Sequence, residues 1–483
     1  MKRDLARLES SEFDILVIGG GINGSAIARD AAMRGARVAL IEKNDFASGA
    51  SGKTTKLIHG GIRYLEQFDF KLVYEALRER AMLLEMVPHL VKPIEFLIPV
   101  YKNDPRPLFK IKTGVFIYDR LAGGKKIRPH RRLSEKDVIS IEPGIKRDGL
   151  LGGVIYCDAQ MDDISLSIDN AISAYDHGAA VANKVEAAAF IKNDGRITGV
   201  EAKDILGGTS FKIRSKTVIN ATGAWSNKIV RLDDPSAEAI TRPTKGVHIV
   251  YKKTSCNKAV VLSAHKDKRV FFMIPWRGLT LIGTTDTDYN GSPDEVYAEK
   301  AEIKYLLDEA RRVFPGDDIN EDGIVTTFAA LRPLANRKGH LPWRLSREHL
   351  IRRSSSGLIS VSGGKYTTYR HLAERVVDIA AEGLGSINGK RCPTAFAPPS
   401  YPKDGNKDPR ALIERAVGVE MANTFDDLMS RRLQLSTTPS LGFDRCREYA
   451  DIMAEMLGWT GSKKEAEIDL YKKETERNKE ALI

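Results

Sequence analysis

The chain has 483 residues, 42% of them hydrophobic and 29% charged, enough for two or three domains whose cores need neither disulfides nor a structural metal. That composition excludes the disordered, collagenous and low-complexity classes. Lys and Arg number 75 against 64 Asp and Glu, and the net charge of +11 suits a phosphorylated or carboxylated substrate, an anionic membrane surface or nucleic acid, without choosing among them.

In chain order, the first fourteen residues lack the apolar segment of a signal peptide. No apolar run approaches the ~18 residues of a membrane span, so a cytoplasmic protein, soluble or peripheral on the inner face of the membrane, is expected. Asp14-Ile15-Leu16-Val17-Ile18 is a short β-branched run, the mark of a buried parallel strand. Gly19-Gly20-Gly21-Ile22-Asn23-Gly24 follows, then a good helix former over residues 25–34. Gly35, free to take positive φ, closes that helix. A second strand over 37–41 ends at Glu42.

Further along, a helix is predicted over 70–90. Residues 102–136 carry eleven Lys and Arg against three acids, with Pro105, Pro107 and Pro129, and read as a basic irregular stretch. Between 150 and 225 short strands surround a helix at 164–177, and one hairpin over 191–200 turns at Asn193-Asp194-Gly195. Strand-like runs recur at 247–251, 270–274 and 279–283. Residues 386–408, rich in Gly, Pro and Lys, read as a linker before a helical tail. That tail ends in residues 463–483, with six basic and six acidic side chains, the pattern of a solvated helix face without a binding role. Cys157, Cys256, Cys392 and Cys446 lie too far apart for a zinc motif or a disulfide framework. No metal is expected.

The spacing Gly19-x-Gly21-x-x-Gly24 between a strand and a helix is a dinucleotide fingerprint. The glycines allow a tight turn, close backbone approach to a pyrophosphate, and close packing of helix on strand. Glu42 at the second strand's tip can accept both ribose hydroxyls and repels a 2′-phosphate, which disfavours NADP. Gly52-Lys53-Thr54 mimics the end of a triphosphate-binding loop, but Ala47 stands where that loop needs its first glycine, so ATP hydrolysis is rejected.

Lys56-Leu57-Ile58-His59-Gly60-Gly61-Ile62-Arg63-Tyr64-Leu65-Glu66 resembles the signature of the FAD-dependent, aerobic-type glycerol-3-phosphate dehydrogenases, within the D-amino-acid-oxidase-like flavoproteins. Asn220-Ala221-Thr222-Gly223-Ala224-Trp225, Lys245-Gly246-Val247-His248, Ile282-Gly283-Thr284-Thr285-Asp286-Thr287, Leu331-Arg332-Pro333-Leu334 and Gly363-Gly364-Lys365-Tyr366-Thr367-Thr368 follow in the family's order. The resemblance implies an α/β and α+β chain, with a Rossmann-like FAD-binding domain interleaved with a mixed or antiparallel-sheet substrate domain. The expected FAD domain takes residues 11–85, 160–235 and 340–385, and the substrate domain 86–159 and 236–339. An abbreviated helical domain occupies 409–483. In the family this cap contributes to homodimer contacts. A second departure is Ser48-Gly49-Ala50-Ser51-Gly52-Lys53-Thr54-Thr55, which replaces a more serine-rich stretch.

By the same resemblance, FAD is held by Gly19, Gly21, Gly24, Glu42, Thr55, Lys56, Gly60, Gly61, Ala221, Gly223, Gly364, Lys365 and Thr367. Gly363-Gly364 offers a second helix N-terminus, whose dipole favours negative charge on reduced flavin. A dianionic phosphate needs cations, and Arg63, Arg332 and Lys365 are candidates, with Tyr64 as a hydroxyl donor and His59 nearby. His248 is the candidate base, because histidine titrates near neutral pH. Arg332 is its partner in catalysis, and Arg332 and His59 are its rivals in orienting the hydroxyl. The implied reaction takes hydride from C2 of sn-glycerol 3-phosphate to N5 of FAD, gives dihydroxyacetone phosphate, and passes electrons to a quinone. An oxidase or dehydrogenase of another polyol phosphate or hydroxy acid is the alternative, and a non-catalytic dinucleotide-binding scaffold the second. The patch at 102–136, with Phe109, Phe116 and Tyr118 among its charges, fits an anionic membrane surface. No nucleic-acid module accompanies the charge, so nucleic acid is not expected as a partner.

Overall fold

The computed structural model describes residues 1–336, 349–399, 401, 405 and 408–480. The expected FAD-domain boundary at 340 and parts of the 386–408 linker lie outside them. Two sheets organise the chain. The first runs Leu350–Arg353, Ile359–Ser362, Ser210–Asn220, Glu12–Ile18, Val38–Glu42, Ala180–Asn183. Its four inner pairings are parallel, and Leu350–Arg353 joins antiparallel at the edge. Val17, Ile219 and Leu40 are fully buried because helices cover one face and further structure the other. Val185–Asn193 and Arg196–Asp204 form the predicted hairpin, with Asp194 (φ 47°) and Gly195 (φ 75°) in the paired left-handed conformations of its tight turn.

The helix Ile22–Met33 fills the expected place between the first two strands. Its alanines let it pack between the sheet and two further helices, Asp163–Asp176 and Tyr369–Ala381. At Gly24 a β-carbon would lie 1.8 Å from the Gly19 carbonyl oxygen, so only glycine lets the helix sit this close to the turn.

The second sheet is larger and mainly antiparallel, running Thr287–Asp288, Thr241–Tyr251, Leu279–Gly283, Val270–Trp276, Ala259–Ser263, Val91–Tyr101, Leu150–Met161, Leu57–Ile58. Ile324–Ala335 pairs along Thr241–Tyr251. One parallel pairing, Ala259 opposite Phe96, makes the sheet mixed. Leu57–Ile58 belongs here by pairing with Gln160 and Ala159.

Two expectations are corrected. The basic stretch is not irregular: Leu108–Ala122 is a helix. Ile111, Val115, Tyr118 and Ala122 recur at helical spacing and turn inward, while Phe109, Phe116 and Arg120 remain exposed. Pro107 stands just before the first turn, where a missing N–H is harmless. The tail is likewise more than a solvated face. Gly461–Arg477 buries Glu467, Ile468, Tyr471 and Thr475, and packs with Pro409–Gly418 and Cys446–Leu457 around Phe425, Leu428 and Met453.

This helical unit is fastened to the first sheet through Asp45, just past Glu42. Arg432 donates to both Asp45 oxygens (2.7 and 2.9 Å) and Arg431 to one of them (2.5 Å), with Asp45 and Arg432 side chains fully buried. The two guanidiniums hold the Asp45 carboxyl far below the usual range, overcoming the opposing effect of burial. The four cysteines are buried and free. Among the described residues, no helix is long and apolar enough to cross a membrane, and no group of three or more His, Cys, Asp or Glu is placed to hold a metal ion.

Candidate active site

A cavity of about 720 Å³ runs between the sheets, within the range of small-molecule and cofactor sites. One end is built on the glycine turn. Gly19 and Gly21 line it, Gly24 stands behind them, and Ile22–Met33 points its N-terminus inward. Glu42 accepts the Gly20 N–H (2.6 Å) and the Asn44 N–H (2.8 Å), which fixes its carboxylate at the rim. Burial pushes its carboxyl above the ordinary range, against those two bonds. Ser51, from the segment that departs from the family's serine-rich stretch, accepts the Ile22 N–H at 2.9 Å. Ala221 and Gly223 line the opposite wall.

The other end joins strands of the second sheet to the turn before Tyr369–Ala381. His248 sits in Thr241–Tyr251, opposite Gly283 on one neighbour and Phe328 on the other. Its ring stacks on Phe328 with centroids 4.9 Å apart, and its Nε2 meets Thr55 Oγ1 at 2.9 Å. Nδ1 is buried and meets no hydrogen-bond partner among the described residues. Burial first, then the charges of Arg332 and Lys56, depress the His248 pKa well below 6.5, so the ring is neutral near pH 7. Arg332 pairs with Asp286 (3.1 Å) and donates to Thr284 Oγ1 (2.8 Å) and the Thr285 carbonyl (3.0 Å). Lys365 places its ammonium 3.7 Å from the centre of the Tyr64 ring, and Arg63 lies 5.9 Å from the same ring. Thr367 brackets His59, accepting from its N–H and donating to its carbonyl, both at 3.1 Å.

Sequence-predicted residues therefore converge, with distinctions. Gly19, Gly21, Glu42, Thr55, Lys56, His59, Ala221, Gly223, His248, Arg332, Gly364, Lys365 and Thr367 line the cavity. Gly24, Gly60, Gly61, Arg63 and Tyr64 stand behind or beside its wall. The Lys56 ammonium is taken up by Asp163 (2.7 Å) and the Gly52 carbonyl (2.8 Å), which makes it a structural ion pair.

Sequence reasoning missed one whole wall. Asp426, Arg431 and Gln434 from the helical unit line the cavity, as do Thr475 and Asn478 from the tail, and the Thr327 hydroxyl donates to the Asn478 carbonyl. No local pattern marks them. Trp225 was in a recognised segment, but its role was not: it lies over Gly49, carries the Lys43 ammonium 4.9 Å from its ring, and donates to Asp294 at 2.9 Å. The donor set fits FAD. An oriented helix end and the Glu42 carboxylate occupy one end, and a buried imidazole with cations the other.

Comparison with known proteins agrees. The family model described as FAD dependent oxidoreductase matches residues 14–370. The chain is 35% identical to glycerol-3-phosphate dehydrogenase 2 of Mycobacterium bovis over 521 aligned positions, covering 96% of this chain and 88% of the relative. That alignment is longer than the chain itself, so the relative carries segments absent here. Identity to the aerobic glycerol-3-phosphate dehydrogenase of Staphylococcus haemolyticus is 37% over 417 positions, covering 85% and 75%. The crystal structure of the Bacillus halodurans glycerol-3-phosphate dehydrogenase complexed with FAD matches with a TM-score of 0.81 at 28% identity, covering 100% of this chain and 99% of that one. This chain belongs to the FAD-dependent oxidoreductase family, and within it to the glycerol-3-phosphate dehydrogenases.

Proposed function

We propose that the protein oxidises sn-glycerol 3-phosphate to dihydroxyacetone phosphate with FAD and delivers the electrons to a quinone. The observation that carries this is the meeting, in one cavity, of a dinucleotide-cradling end and an end bearing His248, Arg332 and Lys365. FAD held by the glycine turn, Glu42, Ala221, Gly223 and Gly364 supplies the hydride acceptor. Arg63, Tyr64 and Lys365 hold the phosphate, since a dianion beside a guanidinium and an ammonium gains charge-assisted hydrogen bonds. The neutral His248 ring takes the C2 hydroxyl proton, with Thr55 fixing its orientation. Arg332, itself anchored by Asp286, Thr284 and Thr285, orients that oxygen. The first sheet then serves as the cofactor-binding unit and the second as the substrate-binding unit.

We further infer a peripheral site on an anionic membrane, where a lipid-soluble quinone resides. Phe109 (73% exposed) lies on the basic helix, Tyr74 (57%) on the helix Phe70–Met86 packed against it, and Phe68 (78%) just before that helix, with Lys110 and Arg120 also exposed. Aromatic side chains beside cations suit a headgroup interface.

An anaerobic absorbance spectrum tests the central reading. Adding sn-glycerol 3-phosphate should bleach the oxidised-flavin band, and a water-soluble quinone analogue should restore it. A flavin band that the substrate leaves intact refutes the substrate assignment. Reoxidation by oxygen with peroxide release, and none by quinone, refutes the acceptor.

A further inference from the structure

The loop of residues 59–64, which carries the candidate substrate residues His59, Arg63 and Tyr64, is bracketed on the cavity side by Thr367 at His59. Its other side rests on a group that the chemistry above does not use. Tyr118, on the inner face of Leu108–Ala122, is 1% exposed, and its hydroxyl accepts the Gly60 N–H at 2.8 Å. The same hydroxyl donates to Asp158, whose two carboxylate oxygens both lie 2.8 Å away. Asp158 is paired at 2.5 Å with Arg80, and both are 1% exposed. Arg80 also reaches the Cys157 and Lys125 carbonyls. A chain of buried polar groups thus runs from Arg80 to the Gly60 backbone, and the Tyr118 hydroxyl links its two halves by accepting on one side and donating on the other.

The fit around Gly60 is close. A β-carbon there would lie 2.4 Å from the Tyr118 oxygen and 2.6 Å from Leu77 Cδ2. The backbone has come within hydrogen-bond reach of Tyr118 because no side chain intervenes. Immediately C-terminal, Gly61 (φ 75°) turns the chain into Ile62–Gln67, which carries Arg63 and Tyr64. Displacing Gly60 therefore moves His59 on one side and the phosphate-binding pair on the other.

We propose that Tyr118 is a positioning residue for substrate phosphate binding, its hydroxyl tying the Gly60 turn to the buried Asp158–Arg80 pair. This rests on the assignment of His59, Arg63 and Tyr64 to the substrate, and on Gly60 and Gly61 standing behind the cavity wall and not on it. Tyr118→Phe keeps the ring packed at right angles against Tyr156, at 5.8 Å between centroids, and removes only the bridging oxygen. The Gly60 N–H is then left with Asp158 at 3.5 Å, too long to hold the turn.

The test uses the FAD-loaded, full-length protein. In Tyr118→Phe, KM for sn-glycerol 3-phosphate and Ki for inorganic phosphate as a competing anion should rise together by about five- to tenfold, the effect of one lost buried hydrogen bond. The kcat and the flavin-to-protein ratio should stay near wild type. Tyr156→Phe is the control, since it removes a hydroxyl from the same core without touching Gly60, and it should leave KM at the wild-type value. An unchanged KM in Tyr118→Phe overturns the proposal. Equal rises in both variants, or joint loss of flavin and activity in Tyr118→Phe, overturn it too, because the effect would then be general loosening of the core. If wild-type flavin is not bleached by sn-glycerol 3-phosphate, the substrate assignment itself fails, and that is seen before any variant is made.

Discussion

Arg332→Ala removes a guanidinium whose position is already determined by three neighbours, so little of its contribution depends on ordering the side chain at the moment of binding. A hydrogen bond from a charged group contributes about 1.5–3 kcal/mol, which corresponds to a fall of about 10- to 150-fold in kcat/KM. A second effect has a fixed sign. Arg332 is one of the charges that depress the His248 pKa, after burial itself. Removing it raises that pKa toward 6.5, so the acid limb of kcat/KM, where a protonated base loses activity, moves toward neutral pH. FAD should stay bound, because Glu42 and the glycine turn lie at the other end of the cavity. Steady-state kinetics from pH 5 to 9, with flavin content measured on the same preparation, reads all three. A kcat/KM within about twofold of wild type and an unmoved acid limb would refute the role of Arg332 and its influence on His248 together.

Glu42→Ala should release FAD during purification, since the carboxylate organising the Gly20 and Asn44 amides at the ribose end is gone; normal flavin content would remove Glu42 from the cofactor site. Gly24→Ala should lower both flavin content and the thermal midpoint, because its β-carbon would enter the Gly19 carbonyl; a variant that melts and loads like wild type shows the helix free to move aside. Lys110→Glu with Arg120→Glu should weaken sedimentation with phosphatidylglycerol vesicles by at least about tenfold at low salt, at roughly 1 kcal/mol per surface cation. Equal wild-type binding to neutral and anionic vesicles would exclude the electrostatic part of that contact.

Legibility in the sequence followed how local each signal was. Asp14 to Glu42 could be read almost residue by residue, because strand, glycine turn, helix and second strand are each determined by neighbours within a few positions. The hairpin at Asp194-Gly195 was legible for the same reason. His248 and Arg332 could be named from their motifs, but not their contact with Thr55 or Asp286, since sheet register across long loops decides those. Leu108–Ala122 was missed because charge and flanking prolines outweighed the spacing of Ile111, Val115, Tyr118 and Ala122, which was present all along. Nothing in the sequence placed Asp426, Arg431 or Asn478 at the cavity. Their place in the cavity wall follows from how a separate helical unit docks, and no periodicity within that unit encodes it.

Asp45 stands three positions beyond Glu42 and takes both Arg431 and Arg432 from the helical unit, a buried connection of the kind that costs about 3–5 kcal/mol to break from one side. With Glu42 as the proposed ribose partner, the loop beside the ribose and the loop that holds the helical unit are one loop. By thermodynamic reciprocity, whatever flavin contributes to ordering residues 42–47 it also contributes to docking residues 408–480, and the docked unit returns the same amount in flavin affinity. Flavin occupancy should thus be readable without light absorption, as the rate at which a protease removes the C-terminal segment. Protein that has lost its cofactor should expose that segment first, well before the two sheets give way.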